Sequence, residues 1–123
     1  MKPEAHFDVV GHQAEEQQAL LPRDTQWFGI VGDCHLAAMH YLLAGVAWLG
    51  TNHERYGHAH GKVEKVLDDA GVPAAIRTAW HNLDVLRNGI AYGGAVDGKH
   101  SDQARALLAE IKAWVIGVRP ANP

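Results

Sequence analysis

Polar side chains that share one face of a predicted helix are the residues best suited to chemistry. At 100° per residue they project within about 60° of one another, and they are Arg77, His81, Asp84 and Asn88. Guanidinium and amide groups donate hydrogen bonds to oxyanions, and an imidazole titrates near neutral pH. A glycine-bordered turn with Tyr92 follows. We expect this face to bind a small anionic group such as a phosphate, although such a stripe is also typical of a solvated helix face.

Arg87 interrupts the apolar pattern of the same helix. Counted from Arg77, the apolar side chains project between about 180° and about 300°. Arg87 projects at about 280°, between Trp80 and Leu83. The pattern predicts that this guanidinium points to the edge of the core. Because an unpartnered buried charge is costly, the side chain must extend to solvent, pair with Asp84, or contact an anionic ligand.

The composition predicts that these residues lie in an all-helical protein. Of the 123 residues, 47% are hydrophobic and 19 are alanine, the residue that loses least free energy in a helix. A chain of this length is too short for two independent cores. We expect one domain, residues 1–123 with a core at about 8–118, folded as an up-and-down bundle of four or five helices.

Apolar periodicity and helix-end signals predict five helices, at about 8–21, 25–49, 62–70, 73–88 and 101–118. Gly71 is placed to end the third helix, and Ser101 is placed to cap the last one. The helix at 25–49 has two apolar arcs, and the second contains Leu36, Met39, Leu43 and Val46. A small chain can hardly cover both arcs. This helix therefore lies in the middle of the bundle or packs against a second copy, and we expect a homodimer.

Charge, cysteine content and apolar run length limit the partners and the compartment. The net charge is −3, without the dense Lys/Arg patch that tight binding of duplex DNA requires. The single cysteine, Cys34, cannot form an internal disulfide and indicates a reducing compartment. The longest apolar run, residues 36–50, is shorter than the roughly 20 residues of a membrane span, and the start MKPEAHFD is polar. We expect a cytoplasmic protein without membrane association.

The chain resembles the HEPN (higher eukaryotes and prokaryotes nucleotide-binding) family of small helical domains. The resemblance runs through WFGIVGDCHLAAMHYLLAGVAWLG, HAHGKVEKVLDDAG and LRNGIAYGGAVDGKHSDQARALLAEIKAWV. Its most specific part is the pair Arg87 and Asn88 at the end of a core helix, followed four residues later by the aromatic Tyr92. The resemblance implies a metal-independent ribonuclease, as in toxins of toxin–antitoxin pairs. It also implies that Arg87 is the catalytic arginine and that the site lies at a dimer interface.

The chain departs from the family pattern at the histidine that follows this arginine. Tyr92 stands there, and the next histidine, His100, lies 13 residues after Arg87. A phenol, with a pKa of about 10, is a poorer base at neutral pH than an imidazole. We therefore expect binding of a nucleotide, an RNA phosphate or a cognate protein such as an antitoxin, without efficient turnover. The alternatives are an endoribonuclease with Arg87 and His81 as catalytic residues, and a structural or regulatory dimerisation module without a ligand.

The remaining motifs give weaker signals. His53, His58 and His60 lie in one segment, TNHERYGHAHG, that has no cysteine. Exposed loop histidines are therefore favoured over a metal site, and we expect no metal and no cofactor. Cys34 lies on the apolar seam of the long helix, where a buried thiol is favoured over a nucleophile. The segment YGGAVDGKHS follows a helix and lacks the glycine order of a P-loop, which excludes an ordinary P-loop NTPase.

Overall fold

The chain folds as an all-helical bundle, which confirms the expected fold class. The computed structural model describes residues 1–56, 61–91 and 98–121, and these ranges contain no β-strand. The α-helices are α1 (Pro3–Ala5), α2 (His12–Ala19), α3 (Trp27–Trp48), α4 (Val63–Asp69), α5 (Ala74–Ala91) and α6 (Gly98–Val118). A π-helical segment, His6–Gly11, joins α1 to α2, and a 3₁₀ turn, His53–Tyr56, follows α3.

Helix α3 is the centre of the bundle because it is apolar on almost every side. Thirteen of its 22 residues are buried, and it packs against the π segment, α2, α5 and α6. In the second apolar arc, Met39, Leu43 and Val46 are buried within the chain, while Leu36 is 37% exposed. The helix thus lies in the middle of the bundle, which was one of the two alternatives. The arc gives no support to a second copy, and the homodimer stays a prediction.

Helix α3 is also long and apolar enough to cross a membrane, by length and composition alone. No other helix in the described part of the chain meets that test. Within the bundle, 72% of its apolar window is buried by the other helices. Its apolar character is therefore accounted for by its place in the core.

The N-terminal helical run differs most from its expected bounds. The periodicity predicts a helix over 8–21, but helical structure begins at Pro3 and passes through the π segment His6–Gly11. Contacts with distant residues hold this run in place. Arg119, just after α6, donates two hydrogen bonds to the Asp8 carboxylate, at 2.8 and 2.9 Å. Because short isolated helices are marginal in water, tertiary contact rather than local propensity determines where the run begins.

The later helices lie close to their expected bounds, with one error in capping. Gly71 has φ +72° just after α4, as predicted, because glycine adopts the left-handed region without strain. The expected cap at Ser101 is wrong, since α6 already begins at Gly98. The buried Ser101 hydroxyl instead donates to the carbonyl oxygen of Arg23 at 3.1 Å. A side chain able to cap a helix locally is here used to join distant segments.

Two glycines on adjacent elements provide a matched test of this packing. A Cβ atom at Gly11 would lie 2.6 Å from the Tyr41 ring, whereas a Cβ atom at Gly32 would meet nothing within 4 Å. We expect Gly11→Ala to lower the free energy of unfolding by about 1–3 kcal/mol through overpacking. We expect Gly32→Ala to raise it by about 0.5–1 kcal/mol through helix propensity. Urea unfolding followed by circular dichroism measures both, and effects of the same sign would contradict the packing described.

Candidate functional site

The polar face of α5 lies against α4, the short helix that precedes it. Arg77 Nη1 donates to Asp68 Oδ1 at 2.9 Å, and His81 Nδ1 lies 2.9 Å from Glu64 Oε1. Asp68, His81 and Glu64 are largely exposed and Arg77 is half-buried, so these pairs add little to stability. The sequence suggests that Arg77 and His81 share an anion site with Arg87. In the structure, both instead contact carboxylates of α4.

A groove between α4 and α5 has Arg77 and the pair His81 and Glu64 in its walls. Its larger part, of about 470 Å³, is lined by Glu64, Leu67, Ala74, Arg77, Thr78 and His81. A second part, of about 410 Å³, shares Glu64 and also has Trp80 and Asp84 in its wall. Arg77 Nε is a buried donor with no hydrogen-bond acceptor in the described part of the chain. Because acids and bases alternate along its walls, the groove does not select an anion by charge alone.

The polar face of α5 also contacts α3, through a hydrogen bond that is less exposed than the pairs with α4. His35 Nε2 lies 2.9 Å from Asp84 Oδ1, and the His35 ring packs against Trp80 with centroids 4.7 Å apart. A carboxylate can only accept a hydrogen bond, so the neutral imidazole carries its proton on Nε2 and donates it to Asp84. The lone pair is then on Nδ1. Pairing of an imidazole with a carboxylate is the usual way to orient a catalytic or ligand-binding histidine.

The surroundings of His35 favour its neutral form. Burial lowers the pKa of His35 below its ordinary value of 6.5, the hydrogen bond and charge of Asp84 oppose this, and the positive charge of Arg87 lowers it further. The side chain is 14% exposed, so part of the ring is accessible to solvent. At neutral pH the site therefore contains an oriented, neutral imidazole within electrostatic range of an arginine.

Arg87 does not point to the edge of the core, so that expectation is wrong. Leu83 is fully buried and Leu86 is partly buried, but Arg87 and Asn88 are exposed. A helical projection gives the direction of a side chain but does not show whether another element covers it, and Arg87 is exposed in the structure. Pairing with Asp84 is not observed; the exposed guanidinium extends to solvent, and contact with an anionic ligand stays a prediction.

Among the arginines whose side chains the structure describes, Arg87 alone has no partner within the described residues. Arg23 pairs with Asp102, Arg77 with Asp68, and Arg119 with Asp8, while Arg105 donates to Gln18 and to a backbone carbonyl oxygen. No hydrogen bond or ion pair joins Arg87 to any residue in the ranges that the structure describes. A permanent positive charge is thus available to an external anion at the end of α5.

Several sequence-predicted residues lie elsewhere. Tyr92, His58 and His60 are outside the described residues, so their expected roles stay predictions. Cys34 is fully buried, as expected, and burial raises the pKa of its thiol to about 12, which makes it a poor nucleophile. Sequence reasoning missed His35. Its spacing on α3 carries no sign of a partner 49 residues away.

Comparisons of the chain with protein-family models, with curated proteins and with solved structures find no match. The likeness to HEPN domains therefore rests on the motif residues given above.

The lowered pKa of His35 predicts how stability depends on pH. As the pH falls below about 6.5, the unfolded chain binds this proton before the folded protein does, so folding loses stability from there down to the lower folded pKa. We expect the free energy of unfolding to fall less between about pH 7 and about pH 5 in His35→Gln than in the wild type. His12→Gln, at an exposed position of α2, is the control for replacement of a histidine by glutamine. Identical pH profiles for His35→Gln and the wild type would contradict this assignment.

Proposed function

We propose that the exposed end of α5 binds phosphate groups of single-stranded RNA, or of a nucleotide, in a cytoplasmic HEPN-like homodimer. Arg87 supplies a charged donor, Asn88 supplies a neutral donor, and His35 lies within electrostatic range of Arg87. The resemblance of Arg87, Asn88 and Tyr92 to the family motif supports the same site. The roles of Arg77, His81 and Asp84 become secondary, because each contacts an internal partner.

The observation that carries this proposal is the absence of an internal partner for Arg87 within the described residues. A guanidinium that is held by a carboxylate must break that pair before it binds a ligand, whereas Arg87 need not. Its planar group offers donors in the geometry that matches two phosphate oxygens. Single-stranded RNA presents such phosphates without the steric limits of a duplex groove.

The charge of the chain sets the expected strength of binding. The net charge is −3, and Arg87 is the one arginine without a partner among those whose side chains the structure describes, so the protein offers few phosphate contacts. For single strands, log K falls by about 0.7 for each neutralised phosphate per tenfold rise in salt concentration. We therefore infer a modest affinity and a shallow dependence on salt, unlike the steep dependence of proteins with extended basic surfaces.

Arg87→Ala tests the binding proposal, and Arg77→Ala is its matched control. Both substitutions remove one positive charge from α5, but Arg77 is paired with Asp68. We expect Arg87→Ala to weaken binding of a fluorescein-labelled single-stranded RNA by at least about tenfold, or about 1.4 kcal/mol. Arg77→Ala should change it by less than about twofold. Fluorescence anisotropy at low salt measures both; equal losses would show that net charge alone matters and would overturn the proposal.

A metal-independent endoribonuclease is the second candidate, and the hydrogen bond between His35 and Asp84 favours it. Attack of a ribose 2′-hydroxyl on the adjacent phosphate forms a 2′,3′-cyclic phosphate and breaks the bond to the 5′-oxygen of the next nucleotide. The step is accelerated when a positioned base accepts the 2′-hydroxyl proton, and the leaving 5′-oxygen takes a proton from water. Neutral His35, oriented by Asp84, has the protonation state for that task, and Arg87 would stabilise negative charge that develops on the phosphate. The sequence suggested His81 as the base. His81 is more exposed and pairs with α4, so the geometry favours His35.

Cleavage assays separate this candidate from simple binding. If the protein is a ribonuclease, the wild type should cleave single-stranded RNA in the presence of EDTA. His35→Gln should then reduce the rate by at least about 100-fold, whereas His81→Gln should leave it nearly unchanged. Denaturing gels of end-labelled RNA report the rates. Cleavage that survives in His35→Gln would refute this role for His35, and binding without any cleavage would leave only the first proposal.

A further inference from the structure

Phe28, in the first turn of α3, is an aromatic residue that the fold leaves on the surface. Its side chain is 66% exposed, whereas every other Phe, Tyr or Trp side chain that the structure describes is buried or half-buried. The apolar faces of an exposed ring are available to a ligand, and their burial is strongly favourable. A single exposed apolar residue is ordinary on a protein surface. Its position relative to Arg87 therefore decides what Phe28 can do.

Phe28 lies on the same side of α3 as His35. His35 follows it by seven residues, which places the two side chains within about 20° of each other and about 10.5 Å apart along the helix. His35 is hydrogen-bonded to Asp84 of α5 at 2.9 Å. Phe28 therefore faces the side of α3 on which α5 packs.

Helix α5 runs antiparallel to α3, so its last turns lie at the end of the bundle where α3 begins. Ser101, near the start of α6, donates to the carbonyl oxygen of Arg23 just before α3. Trp114, near the end of α6, lies beside Gly45 near the end of α3, since a Cβ atom at Gly45 would be 3.1 Å from the Trp114 ring. Helix α6 thus runs in the direction of α3. Only residues 92–97 separate α5 from α6, and they span at most about 25 Å, less than the roughly 30 Å length of α6.

These relations place Phe28 close to the exposed charge of Arg87. Arg87 follows Asp84 by three residues, which is about 4.5 Å along α5 toward the same end of the bundle. Measured along the bundle axis, Phe28 then lies about 6 Å beyond Arg87, on the neighbouring helix. The charge of Arg87 also lowers the pKa of His35, which agrees with a short distance between α3 and the end of α5.

The surface beside Phe28 is open because the next turn of α3 carries a glycine. A Cβ atom at Gly32 would meet nothing within 4 Å, and Leu36, one turn further, is 37% exposed. Residues four apart are neighbours on a helix surface, so Phe28 and Leu36 border an apolar strip with a gap at Gly32. The gap leaves room for a flat ring next to Phe28.

We propose that Phe28 stacks a base of the single-stranded RNA bound at the end of α5, so that one nucleotide contacts Arg87 through its phosphate and Phe28 through its base. The inference rests on the proposed function and names the second part of the ligand that the site recognises. Proteins commonly hold unpaired bases on aromatic side chains, and every base has a π-face. Because a duplex keeps its bases inside the stack, such a site selects single strands with little sequence preference.

Substitutions at Phe28 test this proposal. We expect Phe28→Ala to weaken binding of a fluorescein-labelled single-stranded RNA by at least about fivefold, the loss that corresponds to one stacked base. Phe28→Trp should retain the wild-type affinity, because indole also offers a stacking face. Ile116→Ala, the control, truncates an aliphatic side chain on α6 that is 54% exposed, and it should leave the affinity unchanged. Fluorescence anisotropy at low salt measures binding, and circular dichroism verifies that each variant folds.

A strand of the same length without bases separates the base contact from the phosphate contact. The wild type should bind this abasic strand about as weakly as Phe28→Ala binds the intact RNA. Phe28→Ala should cause no further loss with the abasic strand, whereas Arg87→Ala should weaken binding of both strands. Equal affinity of the wild type for the two strands would overturn base stacking.

The outcomes distinguish failure of this inference from failure of the proposed function. If Arg87→Ala weakens binding of intact RNA and Phe28→Ala does not, stacking is overturned and the phosphate site stands. If the wild type binds no RNA, both are overturned. Sedimentation of the wild type and Phe28→Ala detects a different occupant of this surface. Loss of a dimer with unchanged RNA affinity would assign the ring to an interface between two copies and would overturn stacking.

Discussion

The structure depends on hydrogen-bond partners for the polar side chains of α3, because the rest of the chain surrounds this helix. Helix α3 buries most of its residues, and three of its polar side chains enter the core with them. His35 contacts Asp84, His40 contacts His6, and the Tyr41 hydroxyl donates to Glu15 at 2.5 Å. A buried polar group without a partner costs about 1–3 kcal/mol. Each of these contacts therefore constrains which segment can lie against α3, in addition to the apolar packing.

These contacts join α3 to three segments, and two of them differ in their consequences. The contact with Glu15 is structural, because Glu15 also accepts from Lys112 at 2.6 Å and so joins α2, α3 and α6. The contact with Asp84 joins α5 to α3 and orients the His35 imidazole. Asp84 itself lies about one helical turn before Arg87 on α5. The position of the candidate RNA site follows from it. On the same helix, the next charged residue after Asp84 is Arg87, which is exposed.

The sequence predicts those features that depend on residues close together in the chain. The all-helical class, the long central helix and the glycine after α4 follow from periodicity and backbone preference, and the structure confirms them. Periodicity describes one helix at a time, however, and it does not tell where the neighbouring helix ends. For this reason the sequence pattern predicts Arg87 at the edge of the core and Ser101 as a helix cap, and both predictions are wrong. The His35–Asp84 pair was missed because nothing in a local pattern indicates a partner on a distant helix.

The neutral state of His35 has opposing effects on stability and on phosphate binding. Burial lowers its pKa, so near neutral pH the fold avoids a second positive charge close to Arg87. Below the folded pKa, the imidazolium would add attraction for a phosphate, but protonation there also removes stability from the fold. A base for proton transfer needs the neutral ring, whereas a pure anion-binding site would gain from the charged one. The burial of His35 thus suits a site in which Arg87 supplies the charge and His35 supplies an oriented lone pair.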